Sequence, residues 1–144
     1  MAEHDCCLII FAKEPVPGQV KHRLSAEVGQ DQAMMLYKAF LKDTYTLSHF
    51  IPVHFRVLAY DSFGSIPEYL YSVFPHFIFY PQHGRDFGER IQDAIGYAKH
   101  MGALRIVIIR SDSPTLPAEV IMESFQRLRE FDVVLGPGED GGVY

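Results

Sequence analysis

Cys7-Leu-Ile-Ile-Phe-Ala12 is an unbroken apolar run that halts at Lys13. No polar residue alternates within it, so it reads as a strand covered on both faces, the pattern of a sheet flanked by helices. Pro15, Pro17 and Gly18 follow, so the loop from Lys13 to Leu24 is not a regular helix. Arg105-Ile-Val-Ile-Ile109 repeats the strand pattern more cleanly.

The rest of the chain alternates around these two runs. Ala33, Leu36, Tyr37, Phe40, Leu41 and Thr44 recur at the spacing of one helical face. A strand is expected over residues 54–60, carrying Phe55, Val57 and Leu58 and ending near Asp61. A short helix over 66–71 and the strand Phe77-Ile-Phe-Tyr80, closed by Pro81, come next. Ile91, Ala94, Ile95 and Ala98 mark a second amphipathic helix that stops near Gly102. Pro117 opens a helix through about Arg129, since proline suits the first helical position. Asp132-Val-Val-Leu135 reads as the last strand, ending at Gly136-Pro137.

This alternation predicts an α/β fold: a three-layer α/β/α sandwich around a mostly parallel sheet. Ligands of such sheets bind beyond the carboxyl ends of the strands. Polar clusters follow the strands at residues 13–23, 82–89, 111–113 and 139–142, and the predicted topology brings all four to one rim.

The composition narrows the partners. With 144 residues, 48% of them hydrophobic, the chain suits one domain over 1–144 with a real core and no repeat. A net charge of -5 disfavours a nucleic-acid backbone but leaves room for a single nucleotide held by local cations and a divalent metal. The apolar runs are too short to span a bilayer, and the acidic Met1-Ala-Glu-His-Asp5 is unlike a signal peptide, so a cytoplasmic protein is expected. Cys6 and Cys7 are adjacent and lack CxxC spacing, which reads as two reduced thiols entering a buried strand.

Each cluster offers chemistry beside a plainer alternative. The first supplies Lys13, Lys21 and Arg23 in a loop stiffened by prolines, with Gly18 permitting close backbone approach. That set suits a diphosphate, and a solvated basic loop is the alternative. It is neither a GxxxxGK[ST] loop nor a GxGxxG turn. Asp112, in Ser111-Asp112-Ser113-Pro114, is a candidate ligand for Mg2+ or Mn2+, or else a cap for the turn before the next helix. Asp140, in Gly136-Pro-Gly-Glu-Asp140-Gly-Gly142, is a candidate base, second metal ligand or sugar-hydroxyl acceptor, or part of an ordinary Asp-Gly turn. Gln82 and Gly84 are candidates to approach a base or ribose. Asp86 and Glu89 read instead as a capping arrangement for the helix of Ile91. The histidines form no HExxH, only His22 lies within the cationic loop, and GxSxG is absent.

Four stretches in order carry a resemblance. They are Phe11-x-Lys13-x-Pro15-x-Pro17-Gly18-x-Val20-Lys21-x-Arg23-Leu24, Gln82-x-Gly84-x-Asp86-Phe87-Gly88-Glu89-Arg90, Ser111-Asp112-Ser113-Pro114, and Gly136-Pro137-x-x-Asp140-Gly141-Gly142. Together they resemble the motifs of the bacterial rSAM/selenodomain-associated glycosyltransferase-like proteins over nearly the whole chain. The resemblance implies a GT-A-like fold of the nucleotide-diphospho-sugar transferases, with likeness also to small guanylyltransferases. It also implies phosphate binding by Lys13, Gly18, Lys21 and Arg23, and metal binding by Asp112. The chain departs from the pattern with His22 for a usual Thr, Arg110 for a usual Gly and Val143 for a common Tyr. Relatives continue past the position of Tyr144, so the expectation is a C-terminally short domain lacking the acceptor-side elements.

Three functions follow as expectations. The first is metal-dependent glycosyl transfer from a nucleotide sugar to an unknown acceptor. The second is nucleotidyl transfer, in which a nucleoside triphosphate loses pyrophosphate. The third is a non-catalytic nucleotide- or partner-binding remnant, with an open sheet edge that invites self-association into a homo-oligomer.

Overall fold

The computed structural model describes residues 3–16, 26–111 and 116–135. Strand β1 spans Glu3–Lys13, β2 Val53–Asp61, β3 Ile78–Pro81 and β4 Arg105–Arg110. Helix α1 spans Gln30–Ser48, α2 Glu68–Val73, α3 Phe87–His100 and α4 Ala118–Arg127. The strands form one sheet in the order β3-β2-β1-β4, and each neighbouring pair is parallel.

The sheet explains why the opening run carries no alternation. In β1, Cys6, Leu8, Ile10 and Ala12 point to one face, while Cys7, Ile9 and Phe11 point to the other. All seven are buried. The first set packs against Tyr37 and Leu41 of α1, Leu70 and Val73 of α2, and Ile121 and Phe125 of α4. The second packs against Ala94 and Ala98 of α3, whose small side chains at i and i+4 admit the helix closely to the sheet. Helices thus cover both faces, as the α/β reading expects. Strand order reverses between β1 and β4, the kind of position where open α/β sheets bind ligands.

Local signals set the element ends. Asp86 has extended φ and ψ of -138 and 175, and its carboxylate accepts the Glu89 N–H at 2.8 Å. Glu89 reaches back and accepts the Arg85 N–H at 2.7 Å. Asp86 and Glu89 thus form the capping arrangement expected for α3, with Glu89 reaching one residue beyond the N-cap. Just before it, Gly84 takes φ 146, and a Cβ there would sit 2.8 Å from the Arg90 nitrogen.

One expected strand is not formed. Residues 132–135 are irregular, with Val133 and Leu135 mostly exposed. A cavity of ≈580 Å3 lies between them and β4, lined by residues such as Ile106, Ile108 and Leu128. Asp132-Val-Val-Leu135 has strand composition, but a four-residue apolar run becomes a strand only where a ladder partner receives it. No helix among the described residues is long and apolar enough to cross a membrane.

Candidate functional site

The carboxyl ends of the strands finish level with one another. Lys13 pairs with Asp61, Phe11 with Arg110, and Tyr60 with Pro81. The loops after β1, β3 and β4 therefore begin at a common rim.

Tyr37 of α1 ties two of these beginnings together. Its hydroxyl accepts the Lys13 N–H at 2.8 Å and donates to the Lys13 carbonyl at 2.9 Å. The same oxygen lies 3.3 Å from the Ser111 hydroxyl. Ser111 also donates its N–H to the Phe11 carbonyl at 3.1 Å. Lys13 has its main chain fixed and its side chain exposed at the rim, a suitable posture for a cation meeting phosphate.

Gln82 closes the β3 side. Its amide nitrogen donates to the carbonyls of Ala59 at 2.9 Å and Ala12 at 3.3 Å, and its amide oxygen accepts from Arg90 at 3.0 Å. The side chain is thus a stitch joining β1, β2 and α3. Arg90 extends the stitch by donating to the Asp61 carboxylate at 3.0 Å and the Gly84 carbonyl at 3.1 Å. Gly84 is required here by the close approach of Arg90 and Glu89, before any ligand is considered.

Two carboxylates at the rim are already committed. Glu14, 7% exposed, accepts the N–H groups of Tyr69 and Leu70, each at 2.9 Å. It thereby caps α2, which has no side-chain cap of its own at Pro67. Asp61 holds Arg90 and also accepts the Phe63 N–H at 3.0 Å. Among the described residues, no group of three or more His, Cys, Asp or Glu is placed to hold a metal. A full protein cage is therefore not built from them.

Arg110 lies at the end of β4 on the α3 side. Its guanidinium carbon is 5.3 Å from the Phe87 ring centroid, and Phe87 meets Phe11 edge to face at 5.5 Å. The departure from glycine at this position is thus accommodated by a half-exposed aromatic ring.

The structure brings Lys13, Gln82 and Ser111 together at the rim, with Gly84 behind Arg90. Gly18, Lys21, Arg23, Asp112 and Asp140 lie outside the described residues. Sequence reading passed over Glu14, Asp61 and Arg90, and counted Tyr37 only as a member of an apolar face. One signal was available: a tyrosine at a buried helical position needs a partner for its hydroxyl.

Comparison with known proteins places this geometry in context. A provisionally assigned nucleotide-diphospho-sugar transferase from Desulfovibrio desulfuricans G20 is similar in structure, with a TM-score of 0.90 and 33% identity. The match covers 99% of this chain and 62% of that one, so the chain spans less than two thirds of that relative. A solved 4-diphosphocytidyl-2C-methyl-D-erythritol synthase matches with a TM-score of 0.60 and 13% identity, over 99% of this chain and 68% of the other. At that identity the likeness is one of fold alone. No curated protein matches the chain. Residues 52–144 match the family described as "Uncharacterized protein conserved in bacteria (DUF2064)", and the chain belongs to that family.

Proposed function

We propose that this chain carries the nucleotide-binding rim of a metal-dependent transferase that takes a nucleotide diphosphate-sugar and transfers its glycosyl group. One observation carries the reading: the Tyr37 hydroxyl bonds both Lys13 and Ser111, so the cationic loop and the loop of Asp112 start side by side. The 33% identical transferase-type relative and the ordered motifs of the glycosyltransferase-like proteins support it.

In this reading Lys13, Lys21 and Arg23 hold the diphosphate, Lys as point charges and Arg as a fork. Gly18 lets the backbone come close to phosphate oxygens. Gln82 and Gly84 shape the wall beside the base or ribose. Asp112 holds Mg2+ or Mn2+, which when bound neutralises charge on the leaving diphosphate. Asp140 faces the acceptor. A cytoplasmic setting suits two buried cysteines that form no disulfide.

Titration calorimetry with UDP, GDP and CDP, with and without Mn2+, tests the reading. Metal-dependent binding that is lost in Asp112→Ala is expected. Binding that keeps its metal dependence in that variant overturns the assignment of Asp112. Pyrophosphate release from any of the four nucleoside triphosphates, with a phosphorylated small acceptor, would turn the reading to nucleotidyl transfer.

A further inference from the structure

The wall between β3 and α3 holds a side chain with donors to spare, and it is not Gln82. Both hydrogens of the Gln82 amide nitrogen go to main-chain carbonyls, Ala59 at 2.9 Å and Ala12 at 3.3 Å, and its oxygen accepts from Arg90 at 3.0 Å. A side chain so engaged has no hydrogen left for a ligand. Arg90 differs, because a guanidinium carries five N–H donors in one plane. Its Nε donates to the Gly84 carbonyl at 3.1 Å, and Nη1 donates to the Asp61 carboxylate and the Gln82 amide oxygen, each at 3.0 Å. Nη2 meets no acceptor among the described residues. Nor is it buried: among those residues, the buried side-chain nitrogen without a partner is the Arg105 Nε alone. The Arg90 side chain is 30% accessible. Its plane is thus clamped along two sides, and the third presents two N–H groups at the surface of the rim.

Charge decides what this edge suits. Asp61 already balances the guanidinium, so a second anion gains less here than beside the exposed Lys13. A neutral carbonyl oxygen asks only for N–H donors held in place. We propose that Arg90 reads the nucleobase, with Nη2 donating to a base carbonyl of uracil, cytosine or guanine. Adenine offers no carbonyl and carries an amino donor where guanine has O6. This role rests on the reading that the rim binds a nucleotide. Its parts are Asp61, Gln82, Gly84 and Arg90, which sit at the ends of β2 and β3 and in the first turn of α3. Gln82 becomes the brace, and Arg90 the group that meets the ligand.

The test reads a ratio. Calorimetry in one Mg2+ buffer compares UDP, CDP and GDP with ADP, and the carbonyl base that the unmodified chain binds best is carried forward. The quantity is Kd of ADP over Kd of that diphosphate, from which loss of folded protein cancels. The unmodified chain is expected to give a ratio of at least about ten, and Arg90→Met to lower it at least about fivefold. Asp86→Ala removes the cap that orders the same loop but no donor of Arg90, and is expected to keep the ratio within about twofold. A smaller drop in Arg90→Met overturns the role of Arg90, and an equal loss of affinity for all four nucleotides assigns Nη2 to a phosphate instead. A fall in Asp86→Ala as large as in Arg90→Met makes loop order the cause and overturns the role as well. An unmodified chain that binds these nucleotides without preferring a carbonyl base overturns the role and leaves the nucleotide reading standing. One that binds none of them overturns both. If Arg90→Met does not fold, Arg90→Lys, whose single nitrogen is drawn to Asp61, decides by the same thresholds.

Discussion

The Glu14 carboxylate accepts the main-chain N–H of Leu70 at 2.9 Å, across 56 positions of sequence. The second oxygen takes the Tyr69 N–H at 2.9 Å. A helix of six residues has a weak terminal dipole, yet these two donors are aimed at a charge that is almost fully buried. Glu14→Ala orphans both donors and is expected to destabilise the fold by about 2–3 kcal/mol. Glu14→Gln keeps one acceptor but turns an amide N–H2 toward the other donor, so it recovers less than half of the loss. Urea unfolding of the two variants checks this. A loss under about 0.5 kcal/mol for Glu14→Ala would show that water replaces the carboxylate and that the cap is dispensable.

Gly84 and Gly64 make a matched pair for separating backbone strain from collision. Both have positive φ, 146 and 84. A Cβ on Gly64 meets nothing within 4 Å, whereas one on Gly84 meets the Arg90 nitrogen and the Glu89 Cβ, both at 2.8 Å. Gly64→Ala is expected to cost about 1–2 kcal/mol from conformation alone. Gly84→Ala adds a clash with the first turn of α3 and is expected to cost about 3 kcal/mol or more. Equal urea midpoints for the two variants would rule out the close approach as the reason for glycine at 84.

Arg90 bonds Asp61, Gln82 and the Gly84 carbonyl from one guanidinium. The Arg90–Asp61 pair is partly exposed, with side chains 30% and 23% accessible, so its Coulomb share is small. Its larger effect is on order in the loop between β3 and α3. Arg90→Lys keeps the charge but cannot fork to three acceptors. It is expected to lose about 1–2 kcal/mol and to speed amide hydrogen exchange at residues 83–86. Unchanged exchange there in Arg90→Lys would mean that the Asp86 cap orders the loop unaided.

The elements most readable from sequence were those whose signal is local. The apolar runs of β1 and β4 follow from burial on both faces, and Asp86 with Glu89 announces the start of α3 within four residues. Asp132-Val-Val-Leu135 misled because strand composition does not specify a ladder partner, and the segment stands across a cavity from β4. Glu14 and Tyr37 stayed hidden for a different reason. Their partners are 24 to 74 positions away, and only the closed sheet brings them within bonding distance. At the rim, the alternation of strands and helices was enough to bring Lys13, Gln82 and Ser111 together. It was not enough to reveal that the Gln82 amide is engaged with the main chains of β1 and β2.

Alkaline pH probes the sheet interior directly. Burial, and then the neighbouring Cys6, pushes the Cys7 thiol from its ordinary 9.0 up to about 12. Burial, followed by the hydrogen bond to Asp93 at 2.7 Å, pushes the Tyr80 phenol from 10.0 up to about 12. Both groups have folded values above their unfolded ones, so each contributes stability while neutral. That contribution is complete below about pH 9 and is lost as pH rises through 12. The urea midpoint is therefore expected to hold steady to about pH 8.5 and then fall, through Cys7 first and Tyr80 about one pH unit later. Cys7→Ala leaves a small cavity and starts lower, but declines less steeply between about pH 9 and 10. Because the thiolate is the reactive form, an aromatic disulfide reagent at about pH 8 should label neither cysteine in the native chain and both in denaturant. Rapid native labelling would place Cys7 in contact with solvent and contradict its burial in β1.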